Sequence, residues 1–154
     1  MSSVDELIEV AKNLLEDPIK HDEGEITAED RKSSSIVAAA MARKILKGTT
    51  EENAFHFYLG VDRPLAVSSD SLVDFSETIK SVSLRAVEYH FGRGDFESWV
   101  RHLGDNDLAD RLRLLRETDL SGELLRRRMH EAVQSRCDEL RRAIERTPNT
   151  DSGI

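Results

Sequence analysis

Apolar positions recur every three or four residues over most of this chain. Val4, Leu7, Ile8, Ala11, Leu14 and Leu15 form one such set, and Ile36, Val37, Ala40, Met41, Ile45 and Leu46 form a second. Phe75, Ile79 and Val82 give a third; Leu84, Val87 and Phe91 are followed by Phe96, Trp99, Val100 and Leu103. Leu108, Ala109, Leu112 and Leu115 precede a long stripe of Leu125, Met129, Val133, Cys137, Leu140 and Ile144. Each set places its apolar side chains on one face of an α-helix.

One stretch changes period. Phe55, Phe57 and Leu59 alternate with Ala54, His56 and Tyr58, which is the repeat of a strand with one buried face. Gly60 to Pro64 reads as a turn, and Leu65-Ala66-Val67 as a short partner strand. A lone two-stranded ribbon is marginal in water, so it must pack on the helices or be extended by a second subunit. The pattern predicts a mainly α fold, one domain of about six helices with at most a small two-stranded β-ribbon.

The punctuation agrees. Ser3 with Glu6, Thr27 with Asp30 and Ser71 with Asp74 are capping-box patterns, and Asp105 is placed to cap the helix that follows it. Asp17-Pro18 and Thr147-Pro148 are expected stops, and Gly48 the residue just past the second helix. Gly92-Arg93-Gly94 is expected to break the central helix pair, with Asp95 as the N-cap of the next helix. Residues 1–48 then form an N-terminal helical pair added to a core over 49–147, with 148–154 expected to be a disordered tail.

Composition narrows the function classes. A chain of 154 residues is long enough to bury a sizeable core. No apolar run approaches the length of a membrane span, no signal-peptide core is present, and the single Cys137 makes no internal disulfide. A cytoplasmic location is the expectation. The net charge of −8 disfavours nonspecific nucleic-acid binding. Arg126-Arg127-Arg128, with Arg111, Arg113, Arg116 and Arg136, lack the interleaved aromatics of a single-stranded RNA surface. Intrahelical pairs at i,i+4 (Glu123–Arg127, Asp138–Arg142, Arg141–Glu145) are the expected use, with an acidic protein partner as the alternative.

Candidate chemistry gathers in one place. Glu88, His90, Arg93 and Asp95 surround the central break, Trp99 follows one turn later, and His56 and Tyr58 share the exposed face of the strand. A histidine beside a carboxylate is the minimum for acid–base work, and an arginine can hold an anion. The same groups also serve helix ends: Arg93 suits a C-terminus, Asp95 an N-terminus. No nucleophile elbow, phosphate loop, dinucleotide fingerprint, zinc cysteine pair or His-Glu-x-x-His motif is present, and no cofactor or metal is expected. The His21, Asp22, Glu23, Glu25 cluster lacks the alternating spacing of a calcium loop. A mononuclear site from His56, His90 and acids is the remaining metal alternative. Cys137, on an apolar stripe, reads as packing. Ala38-Ala39-Ala40 lets another helix approach closely, so Ala38 and Met41 are the candidate seam of a homodimer.

The order Phe55-His56-Phe57, Ala66 to Phe75, Tyr89-His90-Phe91-Gly92-Arg93-Gly94-Asp95-Phe96-Glu97-Ser98-Trp99-Val100 and Leu103 to Ala109 resembles DUF5752, an uncharacterised family found mainly in archaea. The resemblance spans roughly residues 54–145, and its specific part is His-Phe-x-Arg-x-Asp-Phe-x-x-Trp. It implies an archaeal cytosolic protein and assigns no catalytic role to any residue. The helical bulk of the chain, the Ala-rich second helix and the missing catalytic signature lead to the expectation of a non-enzymatic protein-interaction or regulatory module acting as a homo-oligomer, a homodimer first, with another protein as the other partner class. The alternative is a small-molecule- or metal-dependent enzyme centred on His90, Arg93 and Asp95.

Overall fold

The computed structural model describes residues 28–146. The first predicted helix, its Asp17-Pro18 stop, the His21–Glu25 loop and the C-terminal tail lie outside the described residues. Helix α1 spans Ala28–Lys47; a 3₁₀ turn at Glu51–Asn53 leads into β1 (Phe55–Tyr58) and β2 (Pro64–Ser69). Helices α2 (Leu72–Ser81), α3 (Leu84–Arg93), α4 (Asp95–His102), α5 (Asn106–Arg116) and α6 (Gly122–Arg146) follow. Mainly α with a small antiparallel hairpin is the observed class. Two compact units divide inside α1, between Ile36 and Val37.

The caps explain where helices begin. Ser71 Oγ accepts from Asp74 N–H at 3.2 Å, and the buried Asp105 carboxylate accepts from Leu108 N–H at 3.1 Å. Gly48 ends α1 with φ of +85°, and a Cβ there would collide with the Asp70 carbonyl oxygen and Ser71. Only glycine fits both the left-handed backbone and the close approach.

The central break is shorter than expected. Gly92 stays within α3, and Gly94 alone, at φ +77°, turns the chain into α4. Gly94, not Asp95, occupies the N-cap position, and no side chain caps that end. Asp95 is the first helical residue, its carboxylate drawn instead toward His90 and Arg93.

The core is a single cluster. Phe55 and Phe57 on the inner face of β1 meet Phe75 of α2, Phe96 and Trp99 of α4, with Phe55 ring centroids 4.9 Å from Phe57 and 5.0 Å from Phe96. Leu125, Met129, Val133, Cys137 and Leu140 of α6 are buried as their stripe predicts. Burial pushes the Cys137 thiol up to about 11, so this cysteine packs as an inert apolar group.

Two sequence readings need correction. In α1 the buried stripe is Ala39, Ala42 and Ile45; Val37 and Met41 are 58% and 52% exposed, and Ile36 is exposed too. Small residues rather than the large ones lie on the buried face of this helix. The predicted i,i+4 pairs on α6 are replaced by i,i+3 pairs, Arg126–Glu123 and Arg141–Asp138.

Candidate functional site

A cavity of about 470 Å³ opens between the hairpin and α3. It is lined by Phe55, His56, Tyr58, Gly60, Val61 and Asp62 from the hairpin, with Tyr89, His90 and Arg93 from α3 and Asp95 from α4. Five of the seven residues singled out from the sequence, His56, Tyr58, His90, Arg93 and Asp95, therefore share one wall system. Their separation in the chain is bridged by the docking of β1 on α3.

The other two lie elsewhere. Glu88 sits on α3 but accepts from Gly122 N–H at 2.7 Å, tying the start of α6 to α3. Trp99 is buried in the aromatic core, its indole N–H donating to the Asn53 carbonyl at 2.9 Å. Neither reaches the cavity. Both positions carried the right chemistry on the wrong face, which only the packing of α3 and α4 decides.

His90 is the hinge of the arrangement. It is 4% exposed, and both ring nitrogens are engaged. Tyr58 N–H donates to Nε2 at 2.8 Å, so Nε2 carries a lone pair and the neutral ring holds its proton on Nδ1. That Nδ1–H faces Asp95 Oδ2 at 2.8 Å. The imidazole thus replaces a strand partner for the edge of β1 while the carboxylate fixes its tautomer. Burial lowers the His90 pKa below its ordinary value; the bond to Asp95 and its charge act the other way without prevailing, and the Arg93 charge adds to the lowering.

This geometry limits the chemistry. A general base needs a free lone pair within reach of a substrate proton. The one lone pair on His90 is taken by the backbone of β1, and withdrawing it would undock the strand. His90 is a structural staple, and the acid–base reading of the His90–Asp95 pair loses its base.

The groups left over are recognition groups. Arg93 is 56% exposed and uses only Nε, which donates to Asp95 Oδ2 at 3.0 Å; its Nη groups have no partner among the described residues. The guanidinium carbon stands 4.9 Å from the centroid of the Tyr89 ring, whose face attracts the cation. His56 and Tyr58 point outward from β1, and Asp62 sits in the turn with a left-handed φ of 58°. Tyr89, Asp62 and Val61 were missed from sequence. The i,i+4 spacing of Tyr89 and Arg93 was the available signal for one of them.

Among the described residues no group of three or more His, Cys, Asp or Glu side chains is placed to hold a metal ion. No helix is long and apolar enough to cross a membrane, again among the described residues. Comparison with family models, curated proteins and solved structures finds no match.

Proposed function

We propose that the protein is a non-enzymatic interaction module that receives a segment of another protein in the hairpin cavity. The observation that carries this reading is the double engagement of His90. It removes the catalytic base from an otherwise suitable cleft and leaves oriented binding groups behind. Tyr58 and Tyr89 supply amphipathic rings that lose little entropy on contact, and the open fork of Arg93 suits a carboxylate or a backbone carbonyl. Asp62 and Asp95 set an opposite charge at the rim, favouring a partner with mixed charges over a uniformly acidic one.

A second reading, a homodimer through α1, rests on a separate observation. Val37 and Met41 stand exposed one turn apart, with the exposed Ala38 beside Met41 on the helix surface. The two readings separate in one experiment. Native mass spectrometry of the full chain purified from its own host is expected to show a complex with another protein that is lost in Arg93→Gln and Tyr58→Ala. A dimer lost in Met41→Glu but kept in the cavity variants supports the α1 seam instead. A stoichiometric metal or small molecule on the wild-type chain would refute both and restore the enzyme alternative.

A further inference from the structure

A second, smaller cavity of about 230 Å³ lies where the end of α2 meets the first turns of α6, lined by Lys80, Glu123, Arg126, Arg127 and His130. The α6 residues stand at positions i, i+3, i+4 and i+7 and so share one side of that helix. Four groups able to carry positive charge face one carboxylate, in a chain whose net charge is −8.

Arg126 is already immobilised. Its Nη1 donates to the Ile79 and Val82 carbonyls at 2.7 and 2.8 Å, and its Nε to Glu123 at 2.8 Å. The side chain is only 15% exposed, and its Nη2 has no partner among the described residues. Arg127 has no ion-pair or hydrogen-bond partner among them either. Lys80 pairs only with the exposed Glu77 at 3.2 Å, an attachment worth little in water. The independent sign is His130: its Nε2 is buried and has no hydrogen-bond partner. Buried polar atoms are ordinarily satisfied, and an exception marks a place where a partner belongs.

We propose that this cavity binds a phosphate-type oxyanion, held by Arg126, Arg127 and Lys80, with His130 donating through Nε2–H. Donors from two helices converge there, which suits three or four tetrahedral oxygens better than the two coplanar oxygens of a carboxylate. Arg126 supplies an arm whose ordering is complete before the anion arrives, and its Nη1 takes up the Ile79 and Val82 carbonyls, the partial negative charge at the α2 end that would otherwise oppose an anion. Glu123 and Glu77 are the acids that oppose binding; both are largely exposed and their repulsion is screened. The site is separate from the hairpin cavity and does not depend on the interaction reading.

The test is a histidine NMR titration of the full chain, with His130 assigned by its loss in His130→Gln. Inorganic phosphate, phosphoserine and acetate are compared with chloride at matched ionic strength. An anion that binds protonated His130 raises its apparent pKa, so phosphate is expected to move it up and acetate to leave it near the chloride value. A response to both phosphate and phosphoserine assigns the phosphate group itself, and a response to inorganic phosphate alone assigns the free ion. Arg127→Gln, which breaks no contact of the fold, is expected to weaken binding roughly tenfold, the scale of one charged hydrogen bond. No phosphate response beyond that of acetate, or unchanged binding in Arg127→Gln with an unchanged fold, would overturn the proposal.

Discussion

Two acid–base constellations in this protein use the same kinds of residue and come to opposite ends. Between α5 and α6, Asp105 is completely buried and accepts from Arg136 Nε at 2.9 Å as well as from Leu108 N–H. Arg136 also reaches Glu139 at 3.1 Å, and Glu139 in turn takes both Nη groups of Arg111, at 3.0 and 2.7 Å. Every member is spent on another member. At the hairpin, Asp95 holds His90 and Arg93, yet the Arg93 fork and two tyrosine rings remain turned to a cavity. Ion pairs and shifted titrations occur in both places. What separates a clamp from a binding surface is which donors are left without a partner, and whether a cavity meets them.

The largest expected effect lies in the clamp. Asp105→Ala strips Arg136 of its buried partner and α5 of its cap, and should cost about 3–5 kcal/mol in urea denaturation. Replacing both partners with apolar residues, Asp105→Leu with Arg136→Met, should cost clearly less than the single change, because no buried charge is then orphaned. If single and double variants are equally damaging, the clamp is not a coupled unit.

His90→Ala is next. It leaves the Tyr58 N–H without an acceptor and opens a gap beside Phe55, whose ring lies 4.8 Å away, for a loss of about 2–4 kcal/mol. Hydrogen exchange at the Tyr58 amide should rise sharply in this variant while α6 amides hold their order of protection. Uniform loosening of α6 would mean that His90 supports the whole core and is not a local staple.

The two regions should also part on acidification. His90 has a folded pKa below its unfolded value, so the unfolded chain takes up the proton first. Stability is then full above about 6.5 and declines as pH falls through the interval down to the folded value. A proton on Nε2 would face the Tyr58 N–H, donor against donor, so the hairpin should loosen in that window. Glu139 is held down to about 2, chiefly by its hydrogen bonds from Arg111. Its contribution is present above the unfolded value near 4.5 and is lost only as pH falls toward 2. Two separate acid phases, hairpin first and clamp second, are expected from site-resolved exchange between pH 7 and 2.

Arg93→Gln should be the mildest to the fold. An exposed arginine bonded to a partly exposed carboxylate contributes less than about 1 kcal/mol. Denaturation should scarcely register the change, while binding at the hairpin cavity should fail. A variant that keeps its partner would remove Arg93 from the recognition surface.

The helices were legible because their signals are local. The five apolar stripes between Phe75 and Ile144, the Ser71 and Asp105 caps and the Phe55–Phe57 alternation depend on neighbours within a few residues, and the structure carries each of them. Which face of α1 is buried was not legible. Val37 and Met41 look like better core residues than Ala39 and Ala42, yet the face carrying the alanines is the buried one, a choice made by tertiary packing that the local pattern does not encode. The candidate site was half legible for the same reason. Residue type drew His56, Tyr58, His90, Arg93 and Asp95 together, but the spent lone pair of His90 is a contact across 32 positions of chain. Glu88 and Trp99 matched in chemistry and were separated from the cavity by helix rotation. The basic cavity on α6 was visible in part, since Arg126 and His130 share a face at i,i+4, whereas Lys80 joins them only through packing.

The state of His90 decides between a recognition surface and a catalytic one, and nitrogen-15 NMR of the imidazole in the full-length chain reads it directly. The account predicts a single neutral tautomer protonated on Nδ1, persisting below pH 6.5, with Nε2 shifted by the hydrogen bond from Tyr58 N–H. An imidazole that exchanges between tautomers, or that titrates near or above 7 with Nε2 free, would contradict it and return His90 and Asp95 to the role of an acid–base pair.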